Sequence, residues 1–275
     1  MKKENMTRRE AIKRMAWITG SLVLGPSLLE FGSELLGKDI GEMTEKDLFF
    51  IRRIGEVLIK EDSFHCDASP KCSEKSFRIY SIVHSGNPLN RGTLRLKHTE
   101  KDLSVNVVRN GSFGHHQYIS IEQNVSGRFC EPSEWRYNSR LATDGDAFPL
   151  YGQPTVGTGR RVSDHMEIEE KNSVSRVALK TKICTLTWNL FGAIENVAGT
   201  ADQYDFDTID EYDVYGGVKR LKPFKSAEID IDGMKRTLNG WMVTGNSTLP
   251  LFFWLNESGS LLFANSGMVV YVRER

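Results

Sequence analysis

A chain of 275 residues with 39% hydrophobic and 26% charged side chains can bury a sizeable core and is too polar for a membrane-embedded body. Lysine plus arginine and aspartate plus glutamate both number 36, so no net field draws the chain to nucleic acid, and none is expected as a partner.

The balance is uneven along the chain. Lys2, Lys3, Arg8, Arg9, Lys13 and Arg14 precede an uncharged run from Ala16 to Leu29. That run is shorter than the ~20 residues of a bilayer-spanning helix and has the shape of a signal-peptide core. Thr7, Arg8 and Arg9, followed by Ala11, Ile12 and Lys13, resemble the twin-arginine export signal. Ala11 is smaller than that pattern's usual Phe, and no clean Ala-x-Ala cleavage site follows. The resemblance implies export of a folded protein by the twin-arginine translocase. It also implies a periplasmic or secreted destination, and a mature protein that is not integral to the membrane. Residues 1–39 are read as signal helix and linker, and 40–275 as a single β-rich domain.

Thr44 to Lys60 predicts a helix, with Thr44 as N-cap and Leu48, Ile51, Ile54, Val57 and Leu58 on one face. The four cysteines, Cys66, Cys72, Cys130 and Cys184, are disulfide candidates in an oxidising compartment. Cys66 and Cys72 enclose the short loop DASPK, which leaves Cys130 and Cys184 for a long-range bridge, but sequence does not fix the pairing. The alternative is buried thiols, above all for Cys184 in KICTLTW. Their spacing matches no zinc pattern.

From Phe77 the period becomes two. FRIYSIV, TLRLKH, LSVNVVR and HQYISIEQNV predict strands, with Asn90-Arg91-Gly92 and Asn110-Gly111 among the turn signals. Residues 127–160 are dense in Gly, Pro and Asp yet carry Phe129, Trp135, Tyr137, Phe148 and Tyr151. They are read as a long loop, either a binding lid or a loop pinned by its rings. Strands resume over 161–169 and 175–187. TWNLFGAIENVAG then predicts a short helix, with Trp188, Phe191 and Ile194 at helical spacing. Beyond an acidic stretch, DTIDEYDVY, SAEIDID, KRTLNGWMVTG, LPLFFWLN, SLLFANS and MVVYVRE predict further strands. The expected fold is mainly β: a large curved antiparallel sheet or partly closed β-barrel with a short helix. A jelly-roll sandwich is the alternative.

TWNLFGAIENV, FDTIDEYDV and TLPLFFWLNESGSLLFANSGMVVYV resemble uncharacterised exported bacterial families with lipoprotein-carrier-like curved sheets. The matching positions are Leu249, Pro250, Trp254, Glu257, Gly259, Leu261 and Leu262. The resemblance implies a concave face that wraps apolar ligands around a helix.

Glu228, Asp230 and Asp232 alternate, so on a strand they share a face, and paired carboxylates are the tools of glycosidases. The segment resembles the Glu-x-Asp-x-Glu core of a jelly-roll family of β-glucan hydrolases, but ends in the shorter Asp232 and lacks that family's aromatic context. The plainer reading is a solvent-facing strand side with Ile229 and Ile231 packed inward. Trp135, Tyr137, Trp188, Trp241 and Trp254 are candidate ligand platforms or core fillers. Asp205, Asp207, Asp210, Glu211 and Asp213 suit calcium or a hydrated acidic loop. His115 and His116, with Asp164 and His165, are read as hydrogen-bonded histidines before metal ligands. No Gly-x-Ser-x-Gly elbow or phosphate-binding loop is present, and no cofactor or metal is expected. The expected function is non-catalytic: an envelope protein binding an apolar or amphipathic ligand, such as a lipid or glycan, or an envelope partner. The alternative is a secreted carbohydrate-active enzyme, hydrolase or lyase-like.

Overall fold

The structure, a computed structural model, describes residues 51, 54–55, 58–59, 73–82, 88–111, 115–143, 155–170, 173–210, 214–231, 233–245 and 249–274. Arg8, Arg9, the signal helix, Cys66, Cys72 and the side chain of His115 lie outside them. Leu48–Arg275 is one compact unit. Of the predicted helix 44–60, Ile51, Ile54, Gly55 and Leu58 are helical, and Ile51 and Ile54 are buried.

The first eight strands are β1 (Ser73–Ile82), β2 (Pro88–His98), β3 (Asp102–Asn110), β4 (His115–Ser126), β5 (Glu131–Thr143), β6 (Thr155–Val162), β7 (His165–Glu170) and β8 (Ser173–Ala178). The short β9 (Cys184–Leu186) leads through a 3-10 turn, Thr187–Asn189, into helix α1 (Leu190–Val197). The chain then forms β10 (Tyr204–Asp210), β11 (Val214–Pro223), β12 (Ala227–Ile231), β13 (Met234–Gly245), β14 (Leu251–Leu255), β15 (Leu261–Ser266) and β16 (Val269–Glu274). All join one curved, unclosed sheet of 16 strands, in the order β8 to β1, then β16 to β13, β11, β10, β9, with β12 paired to β13 off the path. Pairing is antiparallel throughout except between β9 and β10. A mainly β fold with one curved sheet and a short helix is thus what the alternation predicted. A single sheet replaces the two facing sheets of a jelly roll.

Phe77 and Ile79 of β1, Leu94 and Leu96 of β2, Leu103, Val105 and Val107 of β3, and Ile119 and Ile121 of β4 line one face of the sheet. Helix α1 packs against this inner face. Phe191 contacts the rings of Phe77, Phe253 and Tyr271 at centroid distances of 5.4, 5.3 and 5.0 Å. Edge-to-face geometry of this kind adds to the burial of each ring.

The helix is also anchored by charge. Glu195, 4% exposed, accepts from Lys75 Nζ and Arg273 Nη1, each at 2.7 Å, and from the Leu261 amide at 2.8 Å. Burial holds the Lys75 ammonium below its usual pKa, although Glu195 pulls it upward. Gln123 and Asn189 exchange side-chain hydrogen bonds at 2.7 and 2.8 Å, and Asn189 also donates to the Cys130 carbonyl at 2.7 Å. Thr185 Oγ1 donates to the Phe129 carbonyl at 2.7 Å. These bonds tie the segment entering α1 to the β4–β5 turn.

Residues 127–160 depart from the loop expectation: they contain β5 and the start of β6. Trp135 faces Gly159, and Tyr137 faces Gly157, across the β5–β6 pair. A Cβ at Gly159 would lie 1.9 Å from the Trp135 ring. Gly159, which reads as a loop former, is instead the floor on which the Trp135 ring lies, an arrangement known to stabilise glycine in strands. Asn90-Arg91-Gly92 is a bulge inside β2 and not a turn. The register shifts there, and Gly92 sits at φ +131 with the Val108 carbonyl where its Cβ would go.

Candidate ligand-binding site

Strand direction gives the sheet an upper rim, where Ile82, Asn110, Thr143 and Val269 end or begin their strands. A cleft of about 550 Å³ opens there on the inner face. Its walls are apolar: Ile79 of β1, Leu141 of β5, and Val269 and Tyr271 of β16. Leu141 and Val269 are 45% and 37% exposed, while Ile79 and Tyr271 descend into the core. Trp188, 4% exposed, does not line the cleft, but its ring is 5.9 Å from that of Tyr271 and steeply inclined to it.

The polar lining holds two arginines, one histidine and neutral groups such as Asn110 and Gln117. Arg91, Arg109 and His116 line the cleft, and among the described residues no aspartate or glutamate does. Arg109 continues the inner register of Leu103, Val105 and Val107, and its guanidinium carbon rests 5.2 Å from the Trp188 ring centre. His116 Nδ1 lies 2.9 Å from Asn110 Oδ1 across the β3–β4 pair. An apolar wall with a few convergent donors, in this volume range, is the usual make-up of a small-molecule site.

A wider cleft of about 1110 Å³ lies against β3–β8. Six of its polar residues form a cross-strand row, Asp102, Asn124, Glu134, Arg160, Glu167 and Arg176. Glu167 pairs with Arg160 at 2.6 Å and Arg176 at 3.0 Å, and the Arg160 hydrogen bond holds its carboxyl below the usual range. Opposite charges placed side by side satisfy one another on an exposed sheet face, and this row needs no ligand.

The residues singled out from sequence do not converge. Glu228 and Asp230 point to solvent while Ala227, Ile229 and Ile231 are buried. Asp230 Oδ1 accepts from the Gly233 amide at 2.8 Å, so it caps its turn, and Asp232 lies outside the described residues. Neither Glu228 nor Asp230 lines either cleft. Trp135, Tyr137, Trp188, Trp241 and Trp254 are all buried, at 3, 2, 4, 7 and 0% exposure. Of these Trp135 borders the wide cleft, and Trp188 contacts Arg109 and Tyr271 of the rim cleft without lining it.

Cys130 and Cys184 are free buried thiols, not a disulfide. Cys184 Sγ donates to Met166 Sδ at 3.2 Å, and burial pushes the Cys130 and Cys184 pKa values up to about 11 and about 12. Asp205 and Asp207 of the acidic stretch lie on strand β10 and not in a hydrated loop, while Glu211 and Asp213 lie outside the described residues. Arg220 binds Asp205 at 2.7 Å, and buried Asp207 accepts from Lys180, Thr181 and Tyr215. Among the described residues no group of three His, Cys, Asp or Glu side chains gathers as a metal site.

Arg109, Leu141 and Tyr271 were not singled out from the sequence. One signal was present: LSVNVVRN places Arg109 in the parity of three buried aliphatic residues, where an unprovoked charge is costly.

No family model matches the chain, and no curated protein matches it. Among solved structures the chain is similar to a β-barrel-like protein of the domain of unknown function DUF1849 from Brucella abortus. The likeness has 8% sequence identity and a TM-score of 0.45, and covers 73% of this chain and 94% of that one. Among the described residues no helix is long and apolar enough to cross a membrane.

Proposed function

We propose that this protein is a non-catalytic, exported envelope protein that holds an amphipathic small molecule in the rim cleft. The carrying observation is the cleft itself: an apolar wall of Ile79, Leu141, Val269 and Tyr271 beside the donors Arg91 and Arg109. The solvent-facing position of Glu228 and Asp230 favours this reading over a carbohydrate-active enzyme, which needs two carboxylates across a shared cleft.

Titration of the purified full chain with a fluorescent fatty-acid probe tests the binding. Saturable binding is expected, weakened about tenfold or more by Leu141→Glu, which places a charge on the apolar wall. No saturable binding, or equal binding by the variant, contradicts the reading. Export is tested separately. Replacing Arg8 and Arg9 with lysines is expected to retain the protein in the cytoplasm, and unchanged export would remove the twin-arginine assignment.

A further inference from the structure

The two ends of the sheet differ in character. Strands β1–β5 and β14–β16 are the stretch of the path around the rim cleft. Among the described residues, no carboxylate stands within three residues of an upper strand end there. The charges at those ends are arginines, Arg91, Arg109 and Arg140, beside His115 and His116. The described residues of the upper connections, Gly111, Leu249, Pro250, Gly267 and Met268, carry no charge. The lower ends are the reverse. Glu74, Lys97, Asp102, Glu131 and Glu274 lie at or next to a strand end, and Glu100, Lys101, Arg128 and Glu257 stand exposed in the connections.

The exposed apolar side chains follow the same division. Leu89, Leu141, Leu249 and Val269, at 44, 45, 50 and 37% exposure, each lie within two residues of an upper strand end. Tyr118, 38% exposed, is one residue further in. Among the described residues, no large hydrophobic is exposed at the lower ends of these strands. Leu249 adjoins the turn before β16, where a Cβ on Gly267 would lie 3.4 Å from its side chain, so Leu249, Met268 and Val269 share one tip. Single apolar residues are common on protein surfaces, but their confinement to one end, where acidic groups are also missing, marks an interaction surface.

A protein seated on this rim would seal the cleft that Leu141 and Val269 help to line. A bilayer leaves it open to its own contents. The bilayer interface is fluid, accepts isolated apolar and aromatic side chains among the headgroups, and is where amphiphiles reside. Arginines next to such residues meet the headgroup phosphates. We infer that the protein docks on a lipid bilayer by this rim, with Leu89, Leu249, Met268 and Val269 entering the interface, and that the ligand of the cleft passes to and from that membrane. The route rests on the binding reading above; the docking does not.

The test uses the full chain with vesicles of phosphatidylcholine and phosphatidylglycerol. The apolar run Ala16–Leu29 can itself hold a chain to a vesicle, so the readout is orientation. An environment-sensitive dye is attached at Leu89→Cys or Leu249→Cys, and at Met234→Cys or Glu257→Cys on the lower side. Every chain carries Cys66→Ser and Cys72→Ser, and Cys130 and Cys184 are buried. Vesicles are expected to shift the dye emission to the blue at the upper pair and to leave the lower pair unchanged. No shift at the upper pair, or an equal shift at both pairs, overturns the docking. Leu89→Glu with Leu249→Glu, neither lining the cleft, is expected to slow transfer of the fluorescent fatty-acid probe from vesicles about tenfold or more, while affinity in solution stays within about twofold. Unaffected transfer overturns the membrane route. Positions 89, 234, 249 and 257 are exposed, so the fold tolerates these changes. Absence of probe binding by the parent chain removes the binding reading, and the dye then decides the docking alone.

Discussion

Strands β2–β7 and strands β13–β16 are built by the same antiparallel hairpin connections, yet they bury different numbers of faces. In β2–β7 the inner residues below the rim are dry, and outward residues such as Arg95, Lys97, Glu122, Glu134, Arg136 and Arg160 are exposed. Over the middle of β13–β16 both faces are dry. Outward Met242, Trp254, Phe263, Val270 and Val272 are buried as deeply as inward Phe253 and Ala264. The extra cover comes from Phe224, whose ring meets those of Phe252 and Trp254 at 5.0 and 6.2 Å. It also comes from β12 and the helical residues before β1, where Gly55 abuts Ile229. Both regions share one device: a glycine opposite a tryptophan on the next strand. Gly159 receives Trp135 on the inner face, and Gly240 faces Trp254 on the outer. The comparison teaches that hairpin topology does not set how many faces are buried. The side chains of each strand, and what lies over them, do.

The largest effect is expected where both faces are filled. Trp254→Ala removes a fully buried ring stacked on Phe263, and with it the 2.9 Å hydrogen bond to Asn265. It should cost about 3–5 kcal/mol in denaturant unfolding. A loss under 1 kcal/mol would mean that the outer cover of β13–β16 carries little of the stability.

Glu195→Gln comes next. It leaves Lys75 and Arg273 buried without their shared counter-charge and should cost about 3 kcal/mol. Gly159→Ala should cost about 1–3 kcal/mol, because a methyl would enter the Trp135 ring. Glu122→Gln or Glu169→Gln, on the wet face of the other region, should change stability by no more than about 0.5 kcal/mol. If these exposed changes match Gly159→Ala in cost, the contrast between a wet and a dry face fails.

The buried thiols add a pH dependence. Their folded pKa values, about 11 for Cys130 and about 12 for Cys184, stand above the ordinary thiol value of 9.0. Above pH 9 the unfolded chain releases these protons and the folded chain keeps them. The thiol contribution to stability is therefore complete below pH 9 and is lost as pH rises through the folded values. Lys75, lowered by burial, acts in the opposite sense below its ordinary value of 10.5 and offsets part of the decline. Unfolding curves between pH 8 and 11 should show falling stability that flattens in the Cys130→Ala/Cys184→Ala variant. An unchanged slope in that variant would assign the decline to other groups.

Most of the sheet was legible in the sequence because one face of β1–β4 is wet. Alternation as clean as Leu103, Val105, Val107 against Ser104 and Asn106 has one reading. Legibility failed where glycine was a packing partner. Gly159 looked like a loop residue because its function, making room for Trp135, belongs to a strand some twenty residues earlier. Strand β11 was hidden for a related reason. VYGGVKRLKP carries Lys219, Arg220 and Lys222 in a row broken only by Leu221, so no apolar alternation marks it. The binding cleft was the least legible feature. Its walls come from β1, β3, β5 and β16, and only the pairing of β1 with β16, far apart in sequence, brings Ile79 and Tyr271 together. Arg109 alone left a local trace, as a charge at a core parity.

Methyl-resolved NMR of the full chain titrated with dodecanoate tests the central claim most directly. Shifts concentrated at Ile79, Leu141 and Val269, with Met242, Val270 and Val272 unmoved, are the predicted result. Shifts centred on Val108 or Val174 of the outward β3–β8 surface, or none at saturating dodecanoate, would contradict it.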